Sequence, residues 1–509
     1  MQNLFNTVQV QKPTKNVFDL SHDVKLSFNM GQLIPTLAME CVPGDSYTIG
    51  CESLLRFAPL VSPVMHRMDV FMHYFFVPNR LLWPGWEDFI TGNATPAFPT
   101  LLFGDGFPAA GVAVGSLADY MGLPLTAGAA ADKAVSALPF AAYQAIYSEY
   151  YRDQNLINEV PWELANGSNS SNAELLVLRR RAWEHDYFTS ALPFPQKGAA
   201  VTLPLGNIPD VPVFQANFSI ADPDRSWNVN GIIPGIAHVP EEVVPNTPPY
   251  AGQENYLYAK TSDITNATSA SINDLRRAIK LQEWLELNAR AGTRYFESIL
   301  GHFGVRSPDA RLQRPEYITG TKSPVVISEV LNTTGTEDVP QGNMAGHGIS
   351  VTNGRYGKYF CEEHGYIMAI MSVRPKTAYA DGIPKHFLKT NSYLDYYWPK
   401  FAHIGEQEVT NDEIFAYTIT GSETFGYTPR YAEYKYLPSR FCGEFRTSLA
   451  FWHLGRTFAG LPALNQVFVE CTPRTDIFAV EVGADTLYAH VLHKIRAVRA
   501  MPKFGTPSF

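Results

Sequence analysis

The sequence predicts a mainly β protein built from antiparallel sheets packed as a sandwich. Three observations carry this reading. Thirty-seven Gly and 37 Pro are spread along 509 residues, cutting the chain into short segments that suit strands joined by long loops. Several of these segments are apolar on both faces at period two, as strands buried on both sides must be. Helical periodicity is confined to two stretches.

Each element has its own signal. Residues 66–77, HRMDVFMHYFFV, put Met68, Val70, Met72, Tyr74 and Phe76 on one face and Phe71, Phe75 and Val77 on the other. Residues 366–373, YIMAIMSV, read the same way. Val24, Leu26 and Phe28 predict an early strand. Near the end, IFAVEV (477–482) alternates, with TLYAHVLHKI (486–495) within hairpin reach. The best helix spans 272–291, with Ser271 and Asp274 as a capping box and Gly292 as the stop. Leu275, Ala278, Ile279, Gln282, Leu285 and Ala289 share its face, Gln282 being the polar exception. A second helix begins at Pro139, where Tyr143, Tyr147 and Tyr150 or Tyr151 form a stripe expected to pack in the core or an interface. Three stretches read as long loops: 104–137, 163–173 with its mobile-looking NGSNSSN, and 206–270, which shows no sustained period.

Composition bounds the function. Hydrophobic residues are 45% of the chain, aromatic ones 13% and charged ones only 17%, below the roughly 25% of ordinary soluble domains. A large β protein fits these figures, and so does a subunit whose surface its neighbours cover. The net charge of −9 argues against a dedicated nucleic-acid binder, though not against a local basic patch. Cys41, Cys51, Cys361, Cys442 and Cys471 are odd in number and lack a CxxC pair, so a reducing compartment is the simpler inference. No secretory start and no apolar run of about 18 residues is visible, so no membrane insertion is expected.

Catalytic signatures fail on inspection. GDGFPA (104–109) has the spacing of a dinucleotide loop, but Pro108 interrupts it. NGRYGKY (353–359) lacks the P-loop spacing and the hydroxyl after Lys358. His490 and His493 fall on opposite faces of a strand, the wrong arrangement for a shared metal. No enzyme activity, cofactor or metal is expected. One feature stands out: from His490 onward the chain carries Lys494, Arg496, Arg499 and Lys503 and no acid. Upstream, TPRYAEYKYLPSRFCGEFR (428–446) interleaves Arg430, Lys435, Arg440 and Arg446 with Tyr431, Tyr434, Tyr436 and Phe441. Single-stranded nucleic acid needs such cations and rings together. Cross-strand packing with basic side chains reaching solvent gives the same pattern.

Several segments resemble the major capsid proteins of the Microviridae, small tailless single-stranded DNA phages, above all the gokushovirus-like branch. They are FFVPNRLLW (75–83) with FITG (89–92), SLADYMGLP (116–124), YSEYYRDQN (147–155) and DYFTSALPFPQKG (186–198). They continue through LRRAIKLQEWLELNARAGTRYFESILGHFGVRSPDARLQRPEY (275–317), FGYTPRYAEYKY (425–436), FRTSLAFWHLGRTF (445–458) and AVRAMPKFGTP (497–507). The resemblance covers nearly the whole chain apart from 206–270 and the stretch near 163–173.

The resemblance implies one jelly-roll domain over 1–509, eight antiparallel strands in two sheets with long insertions. It implies a T=1 icosahedral shell of identical copies around a circular single-stranded DNA genome, assembled in the host cytoplasm and ending in the virion. Partners it implies are a small basic DNA-binding protein, an internal scaffolding protein and a host surface receptor. Lys494, Arg496, Arg499 and Lys503 are the first candidates for DNA contact, with Arg430 and Lys435 second. The 206–270 insertion corresponds to a three-fold protrusion, where Trp227, Ile232, Ile233, Tyr256 and Tyr258 are expected to pack. The alternative from another class is a jelly-roll carbohydrate-binding protein or glycosidase with aromatics lining a sugar groove, but no acid pair is placed for it.

Overall fold

The computed structural model describes residues 14–102, 112–125, 133–202, 272–331, 344–354 and 356–504, with the backbone of three strands at 213–217, 224–227 and 255–259. The chain divides into two compact units: Met1–Pro195 with Ala291–Phe509, and Gln196–Arg290. The segment GDGFPA and the capping residue Ser271 lie outside the described residues.

In the larger unit the early strands are β1 (Asn16–Asp19), β2 (His22–Phe28), β3 (Ile34–Cys41), β4 (Ser46–Phe57), β5 (Met68–Pro78), β6 (Thr100–Leu102) and β7 (Ala134–Ser136). The smaller unit holds β8 (Val213–Asn217), β9 (Asp224–Trp227) and β10 (Asn255–Ala259). The larger unit resumes with β11 (Glu316–Pro324), β12 (Val326–Leu331), β13 (Met344–Asn353), β14 (Gly357–Phe360), β15 (Gly365–Pro375), β16 (Glu406–Thr410), β17 (Thr424–Pro429) and β18 (Leu487–Arg499).

Two antiparallel sheets dominate. One runs β1-β18-β4-β13-β12, with β2 also paired to β18 and β14 to β4. The other runs β11-β5-β15-β3. Their inner faces share one core: Phe28, Ile49, Leu55, Val491 and Ile495 come from the first sheet, and Ile34, Met68, Val70, Met72, Tyr74 and Phe76 from the second. The odd residues of β5 turn the other way. Phe75 and Val77 join Met368 and Ile370 under a second cluster built around the helix Leu138–Ile146. This is why 68–77 is apolar on both faces: one face meets the opposite sheet, the other a helical layer. The tyrosine stripe belongs here, with Tyr143 and Tyr147 fully buried, and the helix continues into a π-helical turn at Tyr147–Tyr151.

A glycine fixes one crossing between layers. Gly31, in the turn from β2 to β3, has φ +82, and a Cβ there would lie 1.9 Å from the Cys471 carbonyl oxygen. The tight approach lets Gly31 donate to Val373 and accept from Arg181 N–H at 2.7 Å, so the chain at 179–181 is stitched to the four-stranded sheet.

The longest helix spans Ile272–Ala291, as the periodicity predicts, and ends before Gly292 at φ +96. Ala278, Gln282, Leu285 and Ala289 of the expected face are sheltered, with Asn288 buried beside them, whereas Leu275 and Ile279 of that face are exposed; Gln282 is satisfied by a 2.8 Å hydrogen bond to Glu286.

Three expectations are corrected. IFAVEV is not a strand: Ile477 and Phe478 are buried, but only Phe478 makes a bridge, to Leu60, and Val482 is fully exposed. Alternation alone gives no strand where no partner ladder is free. NGSNSSN is ordered by its own polar groups. Asn169 is buried, accepts from Ala165 N–H at 2.9 Å and donates to the Ala165 and Gly167 carbonyls, while its backbone N–H donates to Thr100. Finally, 206–270 contains a three-stranded antiparallel sheet, β10-β8-β9, that sets Trp227 opposite Val213, Tyr256 opposite Ala216 and Tyr258 opposite Phe214. The side chains of Trp227, Tyr256 and Tyr258, and Ile232 and Ile233 altogether, lie outside the described residues.

Candidate functional site

The basic C-terminal strand is split by its pleat. Side chains alternate across a strand, so β18 sends His490, Lys494 and Arg496 to the outer face and His493 inward. His490 is exposed, 3.0 Å from Asp23. His493 is fully buried between the sheets, accepting at Nδ1 from the Tyr74 hydroxyl at 2.8 Å and bonding the Thr36 carbonyl at 3.1 Å through Nε2. The two histidines do not converge, as their spacing predicts.

Cross-strand pairing gathers further charge on that outer face. Lys25 lies opposite His490, Arg56 opposite Tyr488, and both Thr48 and Asp19 opposite Arg496, while Lys358 lies opposite Thr48. Lys25, Arg56, Lys358 and Arg496 are exposed, and so are the acids Asp19, Asp23 and Glu52. Lys494 is ion-paired to Glu52. The face is therefore mixed, with cations in excess.

Arg499 is on the inward side and is engaged there. Its Nε sits 2.9 Å from the buried Asp45 carboxylate, and its Nη2 donates to the Tyr47 hydroxyl and, at 3.0 Å, to the Glu40 carbonyl. Tyr47 in turn donates to Asp45 at 2.8 Å. A guanidinium held by an inaccessible carboxylate positions the end of β18 against β4. Lys503 lies beyond the strand and is exposed. Of the four, Arg496 and Lys503 present open cations.

Arg430 and Lys435 lie elsewhere, on a face dense in aromatic rings. Arg430 stacks 5.0 Å over Tyr431 and donates to the Leu394 carbonyl at 3.1 Å; Lys435 donates to the Arg430 carbonyl at 3.2 Å. Of the interleaved rings, Tyr431 and Phe441 are buried, whereas Tyr434 and Tyr436 are exposed. Packing thus explains half of the pattern. The exposed half continues onto 393–398, which sequence reading missed: Tyr393 is 72% exposed, Tyr397 52% and Trp398 49%. The run YLDYYWPK, with Lys389 before it, carries the cation and ring mixture that marks 428–446.

This face is built, not loose. Lys389 is buried beneath it, paired 2.6 Å from Glu433 and 4.1 Å from the Tyr434 ring centroid. Gln407 donates to Glu433 at 2.6 Å and accepts from Tyr431 N–H at 2.8 Å. Burial alone would raise the Glu433 carboxyl, but the hydrogen bonds from Lys389 and Gln407 hold it below its ordinary value. Trp398 donates through its indole to the Tyr393 carbonyl at 3.0 Å, and Tyr397 packs 5.1 Å from Tyr431. Fixed, exposed aromatics of this extent are what interfaces present before they close.

Among the described residues no group of three or more His, Cys, Asp or Glu could hold a metal ion, and no helix is long and apolar enough to cross a membrane. All five cysteines are free thiols.

Comparison with known proteins gives these surfaces a context. The chain is 34% identical to capsid protein VP1 of Chlamydia phage 1, over all of this chain and 98% of that protein. It is 35% identical to capsid protein VP1 of Bdellovibrio phage phiMH2K with the same coverage, and 32% identical to capsid protein VP1 of Spiroplasma virus 4 over 96% of this chain and 94% of that one. A family profile described as capsid protein (F protein) matches residues 6–509. With sheets, helices and exposed aromatic face all inside that match, the chain belongs to the phage capsid protein (F protein) family of the Microviridae.

Proposed function

We propose that this capsid protein assembles, one copy per asymmetric unit, into a T=1 icosahedral shell around a circular single-stranded DNA genome, and that it acts structurally and not as an enzyme. The observation that carries the reading is the fixed aromatic face formed by Tyr393, Tyr396, Tyr397, Trp398, Tyr434 and Tyr436, all exposed in the single chain. Large rigid rings around a buried ion pair are costly to leave in water and well suited to a neighbouring copy. The sheet orders support an eight-stranded jelly roll as the body: β2-β18-β4-β13 on one side and β3-β15-β5-β11 on the other, with successive strands of the eight crossing between sheets except at β5 and β11, which pair with each other.

In this reading Arg496 and Lys503 contact DNA on the inner surface, supported by Lys494, and Arg430 and Lys435 contribute where the aromatic face borders the interior. Arg499 acts by fixing β18. A net charge of −9 leaves most phosphate to a small basic protein, and an internal scaffolding protein guides assembly. The insertion at 206–270 forms a protrusion at the three-fold axis, with Trp227, Ile232, Ile233, Tyr256 and Tyr258 packing among symmetry mates and its tip meeting a host receptor. Replacing Tyr396, Tyr397 and Trp398 together by Ser tests the assembly reading. Shells should fail to form in sedimentation while the monomer stays folded; unimpaired shells would remove this face as the interface.

A further inference from the structure

Phe71 lies on the outer face of the four-stranded sheet, on the strand whose far end the helical layer covers, and three cations converge on its ring. Arg181 is 3.9 Å from the ring centroid, Arg374 5.3 Å and Lys322 5.5 Å. Pairing explains the convergence: Lys322 and Ser372 lie directly opposite Phe71, and Arg374 lies opposite Asp69, two residues away on the same face. Arg181 comes from the Arg179–Arg181 run that Gly31 stitches to the sheet, and donates through Nη1 to the Ser372 hydroxyl at 3.0 Å. Lys376 joins from just past β15.

The charges do not balance. Against Arg181, Arg374, Lys322 and Lys376 stand, among the described residues, two ion-paired carboxylates: Glu184, paired with Lys376 and 3.7 Å from Arg374, and Asp69, 3.0 Å from Lys322. Arg181 forms no ion pair among the described residues. Aromatic rings attract cations but neutralise none of their charge. The surplus is felt locally. The Arg181 guanidinium is pushed down to about 10 by burial and by the like charge of Arg374. The imidazole of His73 is pushed down to about 4 by burial, then by Arg181 and Arg374. Partly buried cations with too few acids are stabilised by an anion from outside.

We propose that the cluster of Arg181, Arg374, Lys322 and Lys376 around Phe71 is a binding site for a phosphate group, as carried by a single-stranded DNA backbone. Lys322, half exposed, meets the phosphate first, and Arg374 and Arg181 offer planar donors beneath it. Phe71 is 7% exposed and cannot stack on a base, so the site reads backbone and is indifferent to sequence. The assignment of DNA as the source rests on the capsid reading; the phosphate site itself does not.

The test uses the full-length protein, with binding of a labelled oligo-dT and, separately, of inorganic phosphate measured against salt. The double variant Lys322→Gln/Arg374→Gln is compared with wild type and with Lys280→Gln, a surface control on the exposed side of the long helix. Lys322→Gln alone, at an exposed position, covers the case in which the double variant does not fold. The double variant should lose about tenfold or more in oligo-dT affinity, and its log–log salt slope should shrink by about 1.4, roughly 0.7 per phosphate neutralised. Loss of inorganic phosphate binding with oligo-dT binding unchanged keeps the phosphate site and assigns free phosphate as its source. Unchanged binding of both ligands in the double variant, or in Lys322→Gln if only that folds, overturns the proposal. Weakened oligo-dT binding in a chain that never forms shells would keep the site and remove the shell.

Discussion

The Tyr74 hydroxyl lies 2.8 Å from His493 Nδ1, joining the middle of β5 to β18 across 419 residues of sequence. The hydroxyl donates to Nδ1, so the proton of the neutral ring sits on Nε2 and is donated to the Thr36 carbonyl. Both partners of the ring are thereby satisfied in the folded state only while the histidine is uncharged.

That geometry predicts an acid limit to stability. Burial, then the neighbouring His22, pushes His493 down to about 4 from 6.5. Above pH 6.5 the ring is neutral folded and unfolded, and its full contribution is present. As pH falls from 6.5 to about 4, the unfolded chain takes up a proton that the fold refuses, and about 3 kcal/mol is lost. Urea midpoints at pH 7.5 and pH 5 should therefore differ, and the difference should narrow in His493→Gln, leaving the shares of His73 and His66, whose imidazoles burial also pushes down. An equal difference in the variant would show that His493 does not set the limit.

DNA retention should depend on Arg496 and Lys503 more than on Lys494 or Arg499, because Glu52 and Asp45 already engage the latter pair. In Arg496→Gln/Lys503→Gln particles, the salt concentration that releases DNA should fall, with a log–log slope smaller by about 0.7 for each phosphate left without its cation. Release unchanged from wild type would place these side chains away from the genome.

Much of the fold is legible in the sequence because two-sided burial leaves an unambiguous mark: β5 and β15 are apolar at odd and even positions alike, which only a doubly covered strand tolerates. IFAVEV misleads because alternation reports faces, not partners, and the edge it would need is shared by Leu60 with Gly346. The Gly, Pro and Asn content of 206–270 conceals β8, β9 and β10, whose four- and five-residue spans are too short to show a period. Of the sites, the basic tail is visible as composition. That Arg499 turns inward follows from strand parity, which becomes readable once the strand's extent is known. The cluster around Phe71 is assembled from residues 71, 181, 322, 374 and 376, and only the run Arg179–Arg181 hints at it locally.

Deleting 215–262 and joining the ends with a short Gly/Ser linker should leave shell assembly intact while adsorption to host cells falls. Gln196–Arg290 is a compact unit of its own, and such insertions are removed with little effect on the body that carries them. Failed assembly would make the insertion structural, and normal adsorption would remove its receptor role.

Electron microscopy of the purified, assembled protein tests the central claim most directly. Closed icosahedral particles of T=1 symmetry are predicted, with the face around Tyr397 and Trp398 covered by a neighbouring copy in the reconstruction. Discrete trimers, open sheets or monomers under conditions that keep the chain folded would contradict it.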